Sequence, residues 1–538
     1  MGPTRDPRRI SSLGRGAILT VLALSPVHPA AAQHPHAPSA PAANHKNVSP
    51  PSLAEARKQF ALGHYAEAVS LFRAATRNSS RLSDPDTLAY ATALAATGDT
   101  PKAEQQLTNA LSRTPNSAPL NDAFGTLTAQ SGHVDAALPY FQRAVATDPS
   151  LTQAQYHLGT ALLALNQPDA AISPLTLAVS AMPSNFSAQL QLGNALSATH
   201  QDAEALTHLH LAAQLRSPTT SPDALYALAL ALQASGDAKN SLPIFAEATN
   251  APGASATASG SDALTNYALA HVQTGDAANA LPLYQRALTM GPDTPTLRED
   301  FGVAYLQQSD LDHAMEQFRA GLALQPDNAH LHYDLGLALK LKDDLALAVP
   351  ELERAEQLDP SLPDPPFTLG VIYMQQGRFP DAITQLKHAA ELQPANGDTW
   401  ALLGSVLKDS NDAAGATEAL AHAVALEPDQ PNLHIQLAAL DMEAGKRAEA
   451  VAERKIAADL SRAANNRQRA GFALKSGRML LDQNKLPEAI LQLNTAVQAD
   501  PTLAKPHFLL AEAYTRQGKP AEAAAERKLA TALTPTQP

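Results

Sequence analysis

The chain contains no cysteine, which excludes structural disulfides, thiolate metal ligands, cysteine nucleophiles and lipid attachment through a cysteine. Rings are scarce too, at 4% of 538 residues against an apolar content of 45%. Large independent cores are normally filled with more aromatics than this. The surplus is Ala with Leu, and Ala favours close-packed helices because it loses no side-chain entropy in a helix and lets a neighbouring backbone approach. An all-α architecture is expected. Cations are outnumbered, with 39 Lys and Arg against 52 Asp and Glu for a formal charge of -13. That balance argues against nucleic acid or an anionic membrane surface as partner, both of which require concentrated basic residues. It suits a soluble partner of neutral or basic character.

The N-terminus carries the pattern of an export signal over residues 1–32: Arg5, Arg8, Arg9 and Arg15, then the apolar run AILTVLALSPV (17–27), then small residues at Ala30 and Ala32. Cleavage after Ala32 is expected, leaving 35 basic against 51 acidic residues, a formal charge of -16. The apolar run is too short for a bilayer span of ~20 residues, and no later run approaches that length, so the expected location is periplasmic or extracellular without a membrane anchor. The following stretch, QHPHAPSAPAANHKNVSPPS (33–52), has no apolar periodicity, and 33–48 reads as a solvated linker. Its scattered histidines have no carboxylate or thiol support for a metal.

The segment FGVAYLQQSDLDHAMEQFRAGLALQPDN (301–328) begins the positive signal. Its Gly302, Ala314, Phe318 and Pro326 recur 34 residues on as Gly336, Ala348, Leu352 and Pro360, and again as Gly370, Ala382, Leu386 and Pro394. Prolines keep the same interval at Pro115, Pro149 and Pro183, from Pro292 to Pro428, and at Pro501 and Pro535. Such periodicity marks a solenoid. With Trp400, Leu403, Gly404, Ala416, Leu420, Ala423 and Pro428 in DTWALLGSVLKDSNDAAGATEALAHAVALEPDQ (398–430), the chain resembles the tetratricopeptide repeat family. The resemblance implies a right-handed α-solenoid superhelix. Fourteen helix-turn-helix units fit, in an N-terminal part (49–255), a central part (261–464) and a C-terminal pair with a cap (470–537). The phase is interrupted by ASATASGS (254–261) and NNRQR (465–469), expected to be loops or flexible joints.

Each recurring residue has a physical reason, with position 1 taken as the first residue of a unit (118, 152, 329 and so on). Two antiparallel helices crossing closely need a small residue at position 8, as at Gly125, Gly159, Gly193, Gly302 and Gly404, and Ala at position 20. Gly-Asp pairs such as 98–99, 236–237 and 275–276 are expected to end one helix in the left-handed region and cap the next. Proline at position 32 stops the second helix. Position 24 carries a large plug, Phe72, Phe141, Phe245, Tyr284 or Phe318, each contributing roughly 1.5–3 kcal/mol when buried. Arg454 and Arg527 replace the plug in the near-identical phrases AEAVAERKIAADL and AEAAAERKLATAL. At the chain's last unit this is the polar surface a terminal cap requires, and its twin predicts loosened stacking and a hinge after residue 464.

No catalytic constellation emerges, so no enzyme activity, cofactor or metal is expected. His208 and His210, like His330 and His332, are two residues apart and point to different helix faces, whereas a helical metal pair uses a spacing of four. No nucleophile elbow or phosphate loop is present. The resemblance implies instead that the first helices line a concave face, formed by positions 2, 5, 9 and 12 and their neighbours. Carried onto this chain, that face presents Tyr156, Asn194, Tyr226, Asn266, Glu299, Asp300, Tyr333, Asp334, Phe367 and Met374, with Lys340, Asp398 and Lys408 beside them. It is acidic in the middle, which disfavours the carboxylate clamp of chaperone-binding relatives. The expected function is a non-enzymatic interaction scaffold that holds polypeptides on this face; the alternative is a component of polysaccharide export or a carbohydrate binder whose rings stack on a glycan.

Overall fold

The computed structural model describes residues 53–76, 81–250 and 260–534. The export signal, the linker and all but the last two residues of ASATASGS lie outside the described residues. Among the described residues there are 27 helices and no strand. They form an all-α solenoid of helical repeats in two compact units that divide after Leu324. The first unit holds eight hairpins, from Leu53–Ala61 paired with Tyr65–Thr76 to Pro295–Gln307 paired with Leu311–Leu324. The second begins with Ala329–Leu341 and Leu345–Leu358 and ends with Ala504–Arg516 and Pro520–Leu533.

Each hairpin turns at one residue of positive φ. Eight are glycines, such as Gly98 and Gly236, and six are Asn166, His200, Ser309, Asp343, Asn411 and Asn484. There is one in each of fourteen hairpins, which bears out the repeat count. In the left-handed region the chain reverses while the last turn keeps its bonds, as where Gly98 N donates to Ala95 O at 3.0 Å and Asp99 N to Leu94 O at 2.9 Å. The capping expectation holds unevenly. Asp237 accepts from Asn240 N at 3.2 Å and Asp412 from Gly415 N at 2.9 Å. Asp99 and Asp276 make no such side-chain cap; their carboxylates bond the side chains of Lys102 and Asn279.

The crossing geometry follows from position 8. A Cβ at Gly125 would stand 2.8 Å from Phe141 Cε1, and one at Gly302 would stand 2.4 Å from Phe318 Cε1. Leu352, Leu386, Leu420 and Leu493 crowd Gly336, Gly370, Gly404 and Gly477 in the same way. The plugs Phe72, Phe141, Phe245, Tyr284 and Phe318 are at most 1% exposed. Where Arg454 and Arg527 stand instead, the side chains are exposed and position 8 is Ala438 or Ala511.

Junctions between hairpins carry a polar device that the repeat pattern does not announce. After proline stops a second helix, its carbonyl accepts a bond from the side chain six residues on, at position 4. Asn121 Nδ2 reaches Pro115 O at 2.8 Å, Gln155 Nε2 reaches Pro149 O at 3.0 Å, and Gln189 Nε2 reaches Pro183 O at 2.8 Å. His332, Trp400 and His434 do the same to Pro326, Pro394 and Pro428, each at 2.9 Å. The same residue often bonds position 23 of its own hairpin, as His332 to Glu351 at 2.6 Å and His434 to Glu453 at 2.5 Å. One side chain thus ties a turn, a first helix and a second helix.

The expected loop at 465–469 is not a loop. Arg447–Asp482 is one helix of 36 residues, about 54 Å long at 1.5 Å per residue. It serves as the second helix of the twelfth hairpin and the first of the thirteenth. The cause is a missing stop: position 32 of that unit is Arg462, where its neighbours have Pro326, Pro360, Pro394 and Pro428. NNRQR contains no breaker, and an Asp459–Arg462 pair spans one turn just ahead of it.

Two outcomes test this account. Gly302→Ala should cost about 1–3 kcal/mol through overpacking, while the double variant Gly302→Ala/Phe318→Ala should be no less stable than Phe318→Ala alone in chemical denaturation; additive losses would show that the ring does not meet position 302. His434 gives a pH signature. Burial opposes its charge, but the bonds to Glu453 and Pro428 outweigh burial and hold its pKa above the ordinary value. A raised folded-state pKa contributes stability that is complete below about pH 6.5, the unfolded value, and is lost as pH rises through the folded value. The melting-temperature gap between the native chain and His434→Gln should therefore be wider at acidic than at alkaline pH; a gap that widens on going alkaline would contradict the assignment.

Candidate partner-binding face

Within each unit the two sides of the stack are unequal. In the first, each first helix packs on the next first helix, from Leu53–Ala61 on Asp84–Ala96 through Gly260–Gln273 on Pro295–Gln307. In the second, Ala329–Leu341 packs on Asp364–Gln375 in the same way. Consecutive second helices do not approach one another comparably. First helices therefore line the crowded side of the first unit and of the start of the second, with positions 5, 6, 9 and 12 recurring from one to the next.

In the first unit, Tyr156 is half-buried and Asn194 buried. Burial pushes the Tyr156 phenol upward, against bonds from Thr160 and Ser187. Tyr226 and Asn266, from adjacent hairpins, are buried and bonded: Asn266 Nδ2 donates to Tyr226 Oη at 3.0 Å and to Asp262 O at 2.9 Å. Burial first, then the Asp262 charge, drives the Tyr226 phenol far above its ordinary range, and burial raises Asp262 as well. This pair ties neighbouring first helices together. Glu299 and Asp300 are half-buried.

In the second unit, Tyr333 and Asp334 are buried, Phe367, Met374 and Lys340 half-buried, and Asp398 and Lys408 exposed. Burial lowers the Lys340 ammonium pKa. Position 5 runs Tyr333, Phe367, Ala401 and Ile435 over four successive first helices. Ile435 was not among the sequence-derived candidates, yet it is 53% exposed. The signal was available, since it shares position 5 with Tyr333 and Phe367.

The histidines serve the scaffold. His208 shares a 2.7 Å hydrogen bond with Gln189, and His210 bonds Asp237 at 2.6 Å. His332 lies between Glu351 and Pro326 O. Among the described residues no group of three or more His, Cys, Asp or Glu is placed to hold a metal ion, and no helix is long and apolar enough to cross a membrane.

Comparison with repeat-family models agrees with this architecture. Models of the tetratricopeptide repeat match residues 53–118, 123–186 and 226–295, and a further one matches 339–406. A TPR repeat model matches 302–343 and 477–518. No curated protein matches. Among solved structures, one titled crystal structure of MamA is 22% identical, covering 30% of this chain and 94% of its own, with a TM-score of 0.28. MamA from Desulfovibrio magneticus RS-1 is 19% identical over 32% of this chain and 97% of its own, at a TM-score of 0.30. The C-terminal part of a TPR repeat-containing protein from Cytophaga hutchinsonii is 15% identical over 46% of this chain and 99% of its own, at 0.34.

Proposed function

Because the chain is a tetratricopeptide repeat protein, a scaffold for protein–protein contact, we propose that it is a non-enzymatic adaptor that binds polypeptide segments along the first-helix rows. The observation that carries this reading is the position-5 row of the second unit. Tyr333, Phe367, Ala401 and Ile435 stand at the same position of successive first helices, and the first two of these helices pack directly, at a spacing of ~8–10 Å. A peptide in the polyproline-II conformation has three residues per turn and rises ~3.1 Å per residue, so every third side chain can meet one rung. Around the rungs lie the exposed Asp364 and Asp398. The preferred ligand is thus a segment with apolar residues at that interval and Lys or Arg between them, and its association should weaken with salt.

The reading extends to the place of action. We assign the chain to the periplasm or cell exterior, on the export pattern of residues 1–32 and a composition without thiols to oxidise.

Panning a random peptide library on the purified chain tests the binding. Basic-apolar sequences should be selected, and Phe367→Ser/Ile435→Ser should weaken them at least tenfold. Selection of nothing, or of peptides indifferent to both substitutions, would remove the proposal. For the location, intact mass of the chain recovered from the native host should correspond to a start at Gln33; an unprocessed N-terminus in the cytoplasmic fraction would refute export.

A further inference from the structure

The unbroken helix Arg447–Asp482 leaves two halves of a repeat junction unmatched. Elsewhere in the second unit positions 3 and 10 of a first helix are covered: Pro365 with Ile372, Thr399 with Val406, and Pro506 with Ala513 are all buried. In the thirteenth hairpin those positions are Phe472 and Met479, 67% and 54% exposed. The matching half is bare as well. Positions 21 and 28 of the twelfth hairpin are Val451, 64% exposed, and the exposed Ala458; in the tenth they are the half-buried Ile383 and the buried Ala390. Both halves lie on one unbroken helix, so they cannot meet within one chain.

Their spacing shows what can bring them together. Val451, Ala458, Asn465, Phe472 and Met479 recur every seven residues, and all five are exposed. A seven-residue stripe is the seam along which two helices pack. Asn465 sits at the middle of the 36-residue helix. If a second helix of the same sequence runs antiparallel with Asn465 opposite Asn465, then Ala458 meets Phe472 and Val451 meets Met479. The smallest member faces the largest, and Arg454 faces Ser476. Second and first helices at an ordinary junction are also antiparallel, so this pairing rebuilds the junction the chain makes elsewhere. A shallow groove beside the stripe, lined by Phe472, Ala473, Ser476, Gln492 and Thr495, is where the incoming helix seats.

We propose that a second copy of this chain is the partner of this face, forming a two-fold dimer in which the twelfth hairpin of each copy completes its junction with the thirteenth hairpin of the other. The interface is isologous, as a two-fold requires. A polar Asn in such a seam fixes register while weakening association. Arg454, Lys455, Arg462, Arg469 and Lys475 crowd the same side of the helix, so repulsion between copies opposes the apolar contact and salt should tighten the dimer.

Absence of native cysteine makes the test clean. In the full chain, Asn465→Cys should oxidise to a covalent dimer far faster than Leu347→Cys, a 54% exposed site in the ninth hairpin away from the seam. Ala458→Cys/Phe472→Cys should link two chains. Light scattering should give a dimer that Phe472→Ser/Met479→Ser dissociates at least tenfold more readily, with helical circular dichroism unchanged. A disulfide closed within a single chain of the Ala458→Cys/Phe472→Cys variant would show that the helix breaks at 465–469 and folds back on itself, overturning the proposal. So would a monomer at every concentration, an Asn465→Cys chain that oxidises no faster than the Leu347→Cys chain, or loss of helix in the Ser variant.

Discussion

The structure depends on one shared contact: within each unit, the side chain at position 24 is buried by position 8 of its own hairpin and by the hairpin that follows. Phe141 against Gly125 and Phe318 against Gly302 show why each first helix needs a glycine or alanine there. Two helices of thirteen or fourteen residues cannot bury such a ring alone, so a hairpin acquires its core only from a neighbour. Polar bonds then align what the apolar contact has brought together. Position 4 ties the preceding proline carbonyl, and in several hairpins it also ties position 23 across the hairpin.

Where the shared contact ends, the chemistry changes in a consistent way. Arg454 and Arg527 take the plug position and stand exposed, whereas the plugs Phe72, Phe141, Phe245, Tyr284 and Phe318 are buried. The twelfth hairpin therefore finishes as the fourteenth does. The helix that leaves it continues because proline is absent at 462, and the C-terminal pair is carried on an uninterrupted rod. One substitution at a stop position thus alters how hairpins associate, without altering any hairpin.

Much of this was legible from residue types at fixed intervals. Fourteen units, their small crossing residues, the buried plugs and the polar character of Arg454 follow from sterics acting on each unit alike. What escaped the reading depends on details that the 34-residue pattern averages away. NNRQR looked like an interruption because the phase shifts there, yet helix propensity without a breaker wins over phase, and Arg462 in the proline register was the sign. The clasps at position 4 use Asn, Gln, His or Trp and so leave no single-letter signature. For the binding face, position alone placed Tyr226 and Asn266 on the row, whereas the structure bonds them to one another. It also adds Ile435, which shares position 5 with Tyr333 and Phe367 and could have been placed by that spacing.

The central claim is that stability passes between adjacent hairpins and little farther. Hydrogen exchange on the full chain carrying Leu386→Ala measures this directly, since that side chain fills the contact of the tenth hairpin with no exposed surface of its own. Protection should fall most in Asp364–Gln375, Phe379–Leu392 and Gly397–Asp409, and least in Ala504–Leu533, beyond the unbroken helix. Equal loss throughout 329–533, or loss confined to Phe379–Leu392, would contradict the account.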